Sequence, residues 1–144
     1  LRRHPEWGLR IYETPNGLRL LVTHQTFDAG TDAVEQFFAA VGTDPIYVRM
    51  CRHQRCFRAR LSAKPWRIGI AAHMRPRPGI WPVAPERRPE RDAWIARYES
   101  AAARHAACRF VTALGANGVH MDVADVLALH DLESGALQVA RPLA

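Results

Sequence analysis

The chain has 144 residues, 48% of them apolar and 24% charged, which suits one ordinary globular domain with enough length for a real core. No apolar run is long enough to cross a bilayer, and no secretory signal peptide is read. The formal net charge of +6 comes from arginine, Lys64 being the one lysine, and arginine's planar donor fork suits phosphate and carboxylate.

Three cysteines, an odd number, do not make a disulfide framework, so reduced thiols in a cytoplasmic setting are expected. The first residue is Leu1, which suggests a fragment or a processed product. Arg2 and Arg3 would fit the cytoplasmic flank of a removed hydrophobic segment that tethers the domain to a membrane. An expression boundary explains the same start.

Residues 1–8 form a lead-in that Trp7 is expected to tack onto the core. Residues 9–14 and 18–24 read as two strands around Pro15-Asn16-Gly17, where proline presets the turn and Asn-Gly supplies left-handed positions. Arg10, Glu13 and Arg19 lie near this turn and are expected at the surface. After a loop at 25–30, Thr31 or Asp32 can cap a short helix, with Glu35 three residues after Asp32 as in a capping box. Val34, Phe37, Phe38 and Val41 form its apolar stripe, and Gly42 ends it.

The stretch 44–77 holds nine of the twenty basic residues and no acid after Asp44. Ile46, Val48 and Met50 alternate with Tyr47, Arg49 and Cys51; Phe57, Ala59, Leu61 and Ala63 alternate with Cys56, Arg58, Arg60 and Ser62. That period of two predicts a second hairpin. With a turn at 52–55, Cys51 faces Cys56, Arg49 faces Arg58 and Tyr47 faces Arg60. Like charges directly opposite destabilise a sheet, so such a face needs an anion, or acids brought from elsewhere. The bland reading is a solvated arginine face covering apolar surface with its stems. Hairpin, helix and hairpin together predict an α+β fold with a four-stranded antiparallel sheet (β-β-α-β-β).

Pro65 ends the ladder, and Trp66, Ile68 and Ile70 read as an edge strand. Residues 73–89 contain five prolines, and Ile80, Trp81 and Val83 are expected to dock them as a strap; the alternative is a lid over the arginine face. Residues 90–114 read as one long helix with Trp94, Tyr98, Ala101, Ala102, His105, Cys108 and Thr112 on a side, ended by Gly115. After Asn117-Gly118, residues 122–133 read as a second helix, followed by a tail or a short docked segment. The expected organisation is a single domain, 1–144, with a sheet-forming part at 9–72, the strap at 73–89 and a helical part at 90–134.

The run YVRMCRHQRCFRARLSAKPWR (47–67) resembles a signature of uncharacterised bacterial proteins: Tyr-Val-Arg, a cysteine, Gln-x-Cys-Phe-Arg-Ala-Arg, then Lys-Pro-Trp-Arg. YETPNGLRLLVTH and RPRPGIWPVAPE are similar to the same group. The resemblance covers most of the chain. It implies no activity and no catalytic residues, and marks the arginine-rich stretch as the defining feature.

Several constellations bear on chemistry. Cys51, His53 and Cys56, completed by His105 and Cys108, would give a zinc set, though the spacing is not that of a standard knuckle. Cys56 beside Arg55 and Arg58, with His53 near, would favour a thiolate, giving a small thiol enzyme or a redox sensor centred on Cys51 and Cys56. Metal-assisted phosphoryl transfer needs clustered carboxylates, which the central stretch lacks. His130-Asp131 reads as a packed histidine followed by a surface acid. The leading expectation is a non-enzymatic anion-binding module for single-stranded nucleic acid or a phosphorylated ligand. It would use Tyr47, Arg49, Arg58 and Arg60, with Arg52, Arg55, Lys64 and Arg67 adding field and Trp66 or Trp81 adding a stacking platform. A third expectation is an interaction domain whose arginines meet an acidic protein or lipid surface.

Overall fold

The computed structural model describes residues 4–116 and 118–144. Arg2 and Arg3, read above as a membrane flank, and Asn117 of the Asn117-Gly118 turn lie outside the described residues. Strands β1 (Gly8–Thr14) and β2 (Gly17–Val22) form the first expected hairpin. Thr14 pairs with Gly17 across Pro15 and Asn16, and its hydroxyl donates to the Gly17 carbonyl at 3.0 Å. Gly17 takes φ +148°, where a side chain is strained.

Helix α1 (Asp32–Ala40) follows, with Val34 buried and Phe37 and Phe38 half-buried. Thr31 is its N-cap residue, but the hydroxyl donates back to the Asp28 carbonyl at 3.0 Å, so the capping box is not made. The lead-in is held as expected: Trp7 stacks on His24 at 5.7 Å between centroids and tilts against Phe37 at 5.6 Å.

The second hairpin does not form. Pro45–Gln54 is helix α2. The Asp44 carboxylate accepts a hydrogen bond from the Ile46 amide at 2.8 Å, and Pro45 takes the first helical position, where its missing N–H costs nothing. That start signal outweighs the alternation of Ile46, Val48 and Met50. Arg55 closes the helix in the left-handed region at φ +48°, and the Cys56 amide donates to the Cys51 carbonyl at 3.3 Å. Residues 57–64 pair with no strand among the described residues. The expected edge strand at Trp66, Ile68 and Ile70 is replaced by a 3-10 turn, Pro65–Ile68, ended by Gly69 at φ +79°.

The third strand comes from the expected long helix. Helix α3 (Arg88–Ala102) stops at Ala102, and β3 (Arg109–Gly115) runs antiparallel along the free edge of β1. Phe110, Val111 and Thr112 are aromatic and β-branched, which favours the pleated, half-buried edge over more helix. The sheet order is β2-β1-β3, with a register shift at Ile11/Tyr12. The class is therefore α+β, but the antiparallel sheet of the described residues has three strands rather than four, beside four α-helices.

Helix α4 (Met121–Ser134) matches the second expected helix within a residue at each end, and Gly135 caps it at φ +65°. The last residues dock: the Ala106 amide donates to the Pro142 carbonyl and the Ala144 amide to the Ala106 carbonyl, both at 3.0 Å. In the proline-rich segment Val83 is buried, whereas Ile80 and Trp81 are exposed, so only one of the three expected anchors is used. Helix α3 fastens the stretch before it. Trp94 Nε1 donates to the Ala72 carbonyl at 2.7 Å and the Tyr98 hydroxyl to the Ala63 carbonyl at 2.8 Å. No helix among the described residues is long and apolar enough to cross a membrane.

One sheet face carries the core. Tyr12 pairs with Arg19 on one side and Phe110 on the other, and Arg10 pairs with Leu21, so these five share a face. Tyr12, Cys108 and Ala136 form the buried cluster, with Leu21 and Phe110 against it. Helix α4 supplies His130, whose ring meets Tyr12 edge-on at 4.6 Å.

Candidate functional site

Arg10 and Arg19 are not surface residues; both are half-buried on the core face. Arg10 donates through Nε to the Tyr12 hydroxyl at 2.8 Å and through Nη2 to Asp131 Oδ2 at 2.7 Å. The Tyr12 hydroxyl donates to Asp131 Oδ1 at 2.7 Å. Asp131 is therefore the anchor of a buried network rather than the surface acid that the sequence suggested. His130 Nδ1 reaches the same Oδ1 at 2.9 Å, and its Nε2 lies 2.9 Å from Arg19 Nη1. Arginine only donates, so Nε2 accepts and the proton of the neutral ring sits on Nδ1, facing the carboxylate. Burial pushes the His130 pKa below its ordinary value, against the opposing effect of the hydrogen bond that its Nδ1 donates to Asp131. Burial, and then the bond to Asp131, raises the Tyr12 pKa.

Cys108 closes this network from below. Its thiol donates to Ser134 Oγ at 3.3 Å and receives Arg19 Nη1 at 3.5 Å, with His130 Nε2 at 3.9 Å. A thiol, an imidazole and a carboxylate in sequence have the composition of a nucleophilic triad. Here the sulfur is 0% exposed and a guanidinium occupies the space before it. The set acts as a polar clamp between the sheet and α4.

Arg19 also faces outward. Its Nη2 donates to the Arg60 carbonyl at 2.9 Å, and its side chain lines a hollow of about 140 Å³. Arg60, Lys64 and Arg67 line the same hollow, opposite Asn16 of the hairpin turn. Arg67 Nη2 donates to Asn16 Oδ1 at 2.7 Å, and Arg60 Nε to the Ser62 carbonyl at 3.2 Å. Each guanidinium is thus aimed by a neutral acceptor. Among the described residues, none of Arg19, Arg60, Lys64 and Arg67 is in a salt bridge, whereas Arg10, Arg52, Arg55, Arg87 and Arg109 each meet a carboxylate. Four basic side chains line the one hollow. The Lys64 ammonium lies 5.2 Å from the centroid of Trp66, which is 65% exposed.

The structure brings together three of the residues singled out by sequence, Arg60, Lys64 and Arg67, and adds Arg19. The others go elsewhere. Tyr47 is half-buried on α2, with its ring against Phe38 at 5.9 Å and its hydroxyl accepting from the Arg58 amide at 3.3 Å. Burial, with the Cys51 thiol beside it, pushes the Tyr47 pKa up to about 12. Arg49 is exposed on α2, at a groove shared with Phe38 and Val48, and Arg58 is exposed on the segment after it. Arg52 pairs with Glu35 at 3.1 Å and Arg55 with Asp28 at 3.5 Å, so acids from distant sequence do relieve part of the basic stretch.

Cys51 is buried in α2 and Cys56 half-buried after it; both are free thiols and do not oppose one another across a ladder. His105 turns its Nδ1 to the Ala101 carbonyl at 2.9 Å. Among the described residues no group of three or more His, Cys, Asp or Glu side chains is placed to hold a metal ion, so the zinc set is not assembled. Arg19 was missed because it flanks a turn. The signal available was its place directly across from Tyr12 in a two-residue hairpin, since a core tyrosine puts its partner on the inner face. The chain matches no protein-family model, no curated protein and no solved structure.

Proposed function

We propose that this chain is a binding module for phosphate-bearing ligands, single-stranded nucleic acid above all, and that the hollow between the hairpin turn and the 60–67 segment takes the phosphate. One observation carries the reading: Arg19, Arg60, Lys64 and Arg67 line one hollow, with no carboxylate paired to them among the described residues and the guanidinia held by neutral acceptors. Aiming an arginine with a carboxylate would cancel its charge; aiming it with a carbonyl or an amide oxygen leaves the charge for a ligand. Arginine–phosphate contacts are charge-assisted and often bidentate. The exposed indole of Trp66 beside Lys64 offers a base a stacking surface, worth about 1–3 kcal/mol per base in single-strand binders. Arg49 and Arg58 contribute field rather than contact.

The test is a titration of the purified chain with pools of single-stranded RNA and DNA at two salt concentrations. Binding weakens as salt rises, because phosphate contacts release counterions. Arg60→Ala/Arg67→Ala abolishes most of the binding. Arg91→Ala/Arg97→Ala on α3 removes the same charge away from the hollow and has a small effect. Absence of binding at low salt, or equal loss in both double variants, rejects the reading.

A further inference from the structure

Charge says which phosphate the hollow suits. An internal phosphodiester carries one negative charge, and its two bridging oxygens must leave in different directions. A terminal phosphomonoester carries about −1.5 to −2 charges near neutral pH and offers three strong acceptor oxygens with a single exit. The hollow presents four cations in about 140 Å³. Its walls come from four separate parts of the chain: the hairpin from Thr14 to Arg19, the Arg60 to Arg67 segment, Ala107, and Ala144. Four cations exceed the single charge of an internal phosphodiester and suit the higher charge of a terminal phosphate.

We propose that the hollow is a terminal-phosphate site: it takes the phosphomonoester of a nucleotide or of a single-strand end, with the adjoining base stacked on Trp66. This rests on the phosphate-binding reading above and goes beyond it, from strand binding to end recognition. Arg60 and Arg67 supply forked donors, Lys64 supplies a point charge between phosphate and indole, and Arg19 closes the inner wall. Arg19 is already fixed by His130, Cys108 and the Arg60 carbonyl, so it enters the site pre-ordered, which lowers the entropic cost of binding.

The experiment compares labelled single strands of one sequence carrying a 5′-phosphate, a 3′-phosphate or neither, titrated by fluorescence anisotropy against the full chain. Unlabelled nucleoside monophosphate, nucleoside and inorganic phosphate serve as competitors. A phosphorylated strand is expected to bind about tenfold tighter or more, and Arg67→Ala is expected to remove that preference. Nucleoside monophosphate should compete better than inorganic phosphate, and the nucleoside should compete poorly. Trp66→Ala should weaken the nucleotide while leaving inorganic phosphate unchanged. Circular dichroism of each variant checks that it folds. Equal binding of phosphorylated and plain strands overturns end recognition while leaving strand binding in place. A preference that survives Arg67→Ala puts the terminal site elsewhere and overturns this assignment. Failure of all three strands to bind at low salt rejects the phosphate reading itself.

Discussion

Arg19 joins the inside of this molecule to its surface. One end of its guanidinium faces His130 and Cys108, and the other faces the Arg60 carbonyl and the hollow. Behind it, Asp131 accepts from Arg10, Tyr12 and His130 at once. Asp131→Asn should therefore destabilise the fold by about 3 kcal/mol, because it leaves Arg10 without its counter-charge at a site only 12–22% exposed. The loss should appear as a lower midpoint in urea. A change below about 1 kcal/mol would show that the network is not what clamps α4 to the sheet. His130 adds a pH dependence whose sign is fixed by its lowered pKa. Above the ordinary value of 6.5 the ring is neutral in both the folded and the unfolded chain. Below it the unfolded chain takes up a proton that the folded chain refuses, so stability falls as pH drops, down to the lowered folded value. The ring faces Arg19, Tyr12, Cys108 and Asp131. His130→Asn should flatten the fall in melting temperature between about pH 6.5 and 5. An unchanged slope would locate the dependence in other groups. At this scale the sequence was half legible. Lys64 and Arg67 stood out by charge, whereas Arg19 and Asp131 did not, because pairing across a hairpin and through α4 is invisible until the register is known.

Among the elements, α2 shows how a period-two pattern misleads. Ile46, Val48 and Met50 alternate, yet Ile46 and Met50 are both exposed in the helix, so the three do not share a buried face. Tyr47, Val48 and Cys51, at one-, three- and four-residue spacings, are the residues that turn inward. The start signal, Asp44-Pro45, is nonetheless present in the sequence. Asp44→Ala removes the oxygen that caps the Ile46 amide and should cost about 1 kcal/mol, the usual worth of an N-cap. Native-state hydrogen exchange should show it as faster exchange in the first turn of α2. Full protection there would mean that packing of Tyr47 and Cys51 alone sets the helix. Strand β3 was hidden for the opposite reason. Ala101 to Ala107 has strong helix propensity, and the β-forming run of Phe110 to Thr112 follows with no proline or glycine between. The first hairpin was legible because Pro15-Asn16-Gly17 marks its turn locally, and α4 because Asn117-Gly118 precedes it in the sequence.

For the whole molecule, the decisive fact is that the hollow has no single owner in the sequence. The hairpin turn, the segment around Arg60 to Arg67 and the C-terminal residues are distant along the chain and meet only in the fold. The concentration of positive charge at 44–77 announced a working region, but the structure divides that charge: Arg52 and Arg55 are partnered by acids, and Arg60, Lys64 and Arg67 are left for the hollow. The C-terminal residues test this assembly best. Ala106 gives its amide to Pro142 and its carbonyl to Ala144, and Ala144 is buried on the wall of the hollow. Removing residues 141–144 strips both partners from a fully buried alanine, and each backbone group left unpaired costs about 1–3 kcal/mol before water reaches it. The truncated chain should melt at a lower temperature and should bind phosphate-bearing ligand more weakly even at temperatures where it is folded, because the wall beside Ala107 is gone. Loss of stability with unchanged affinity would show that the hairpin turn and the 60–67 segment suffice to form the site. Loss of affinity without loss of stability would make the C-terminal residues a wall of the site and nothing more.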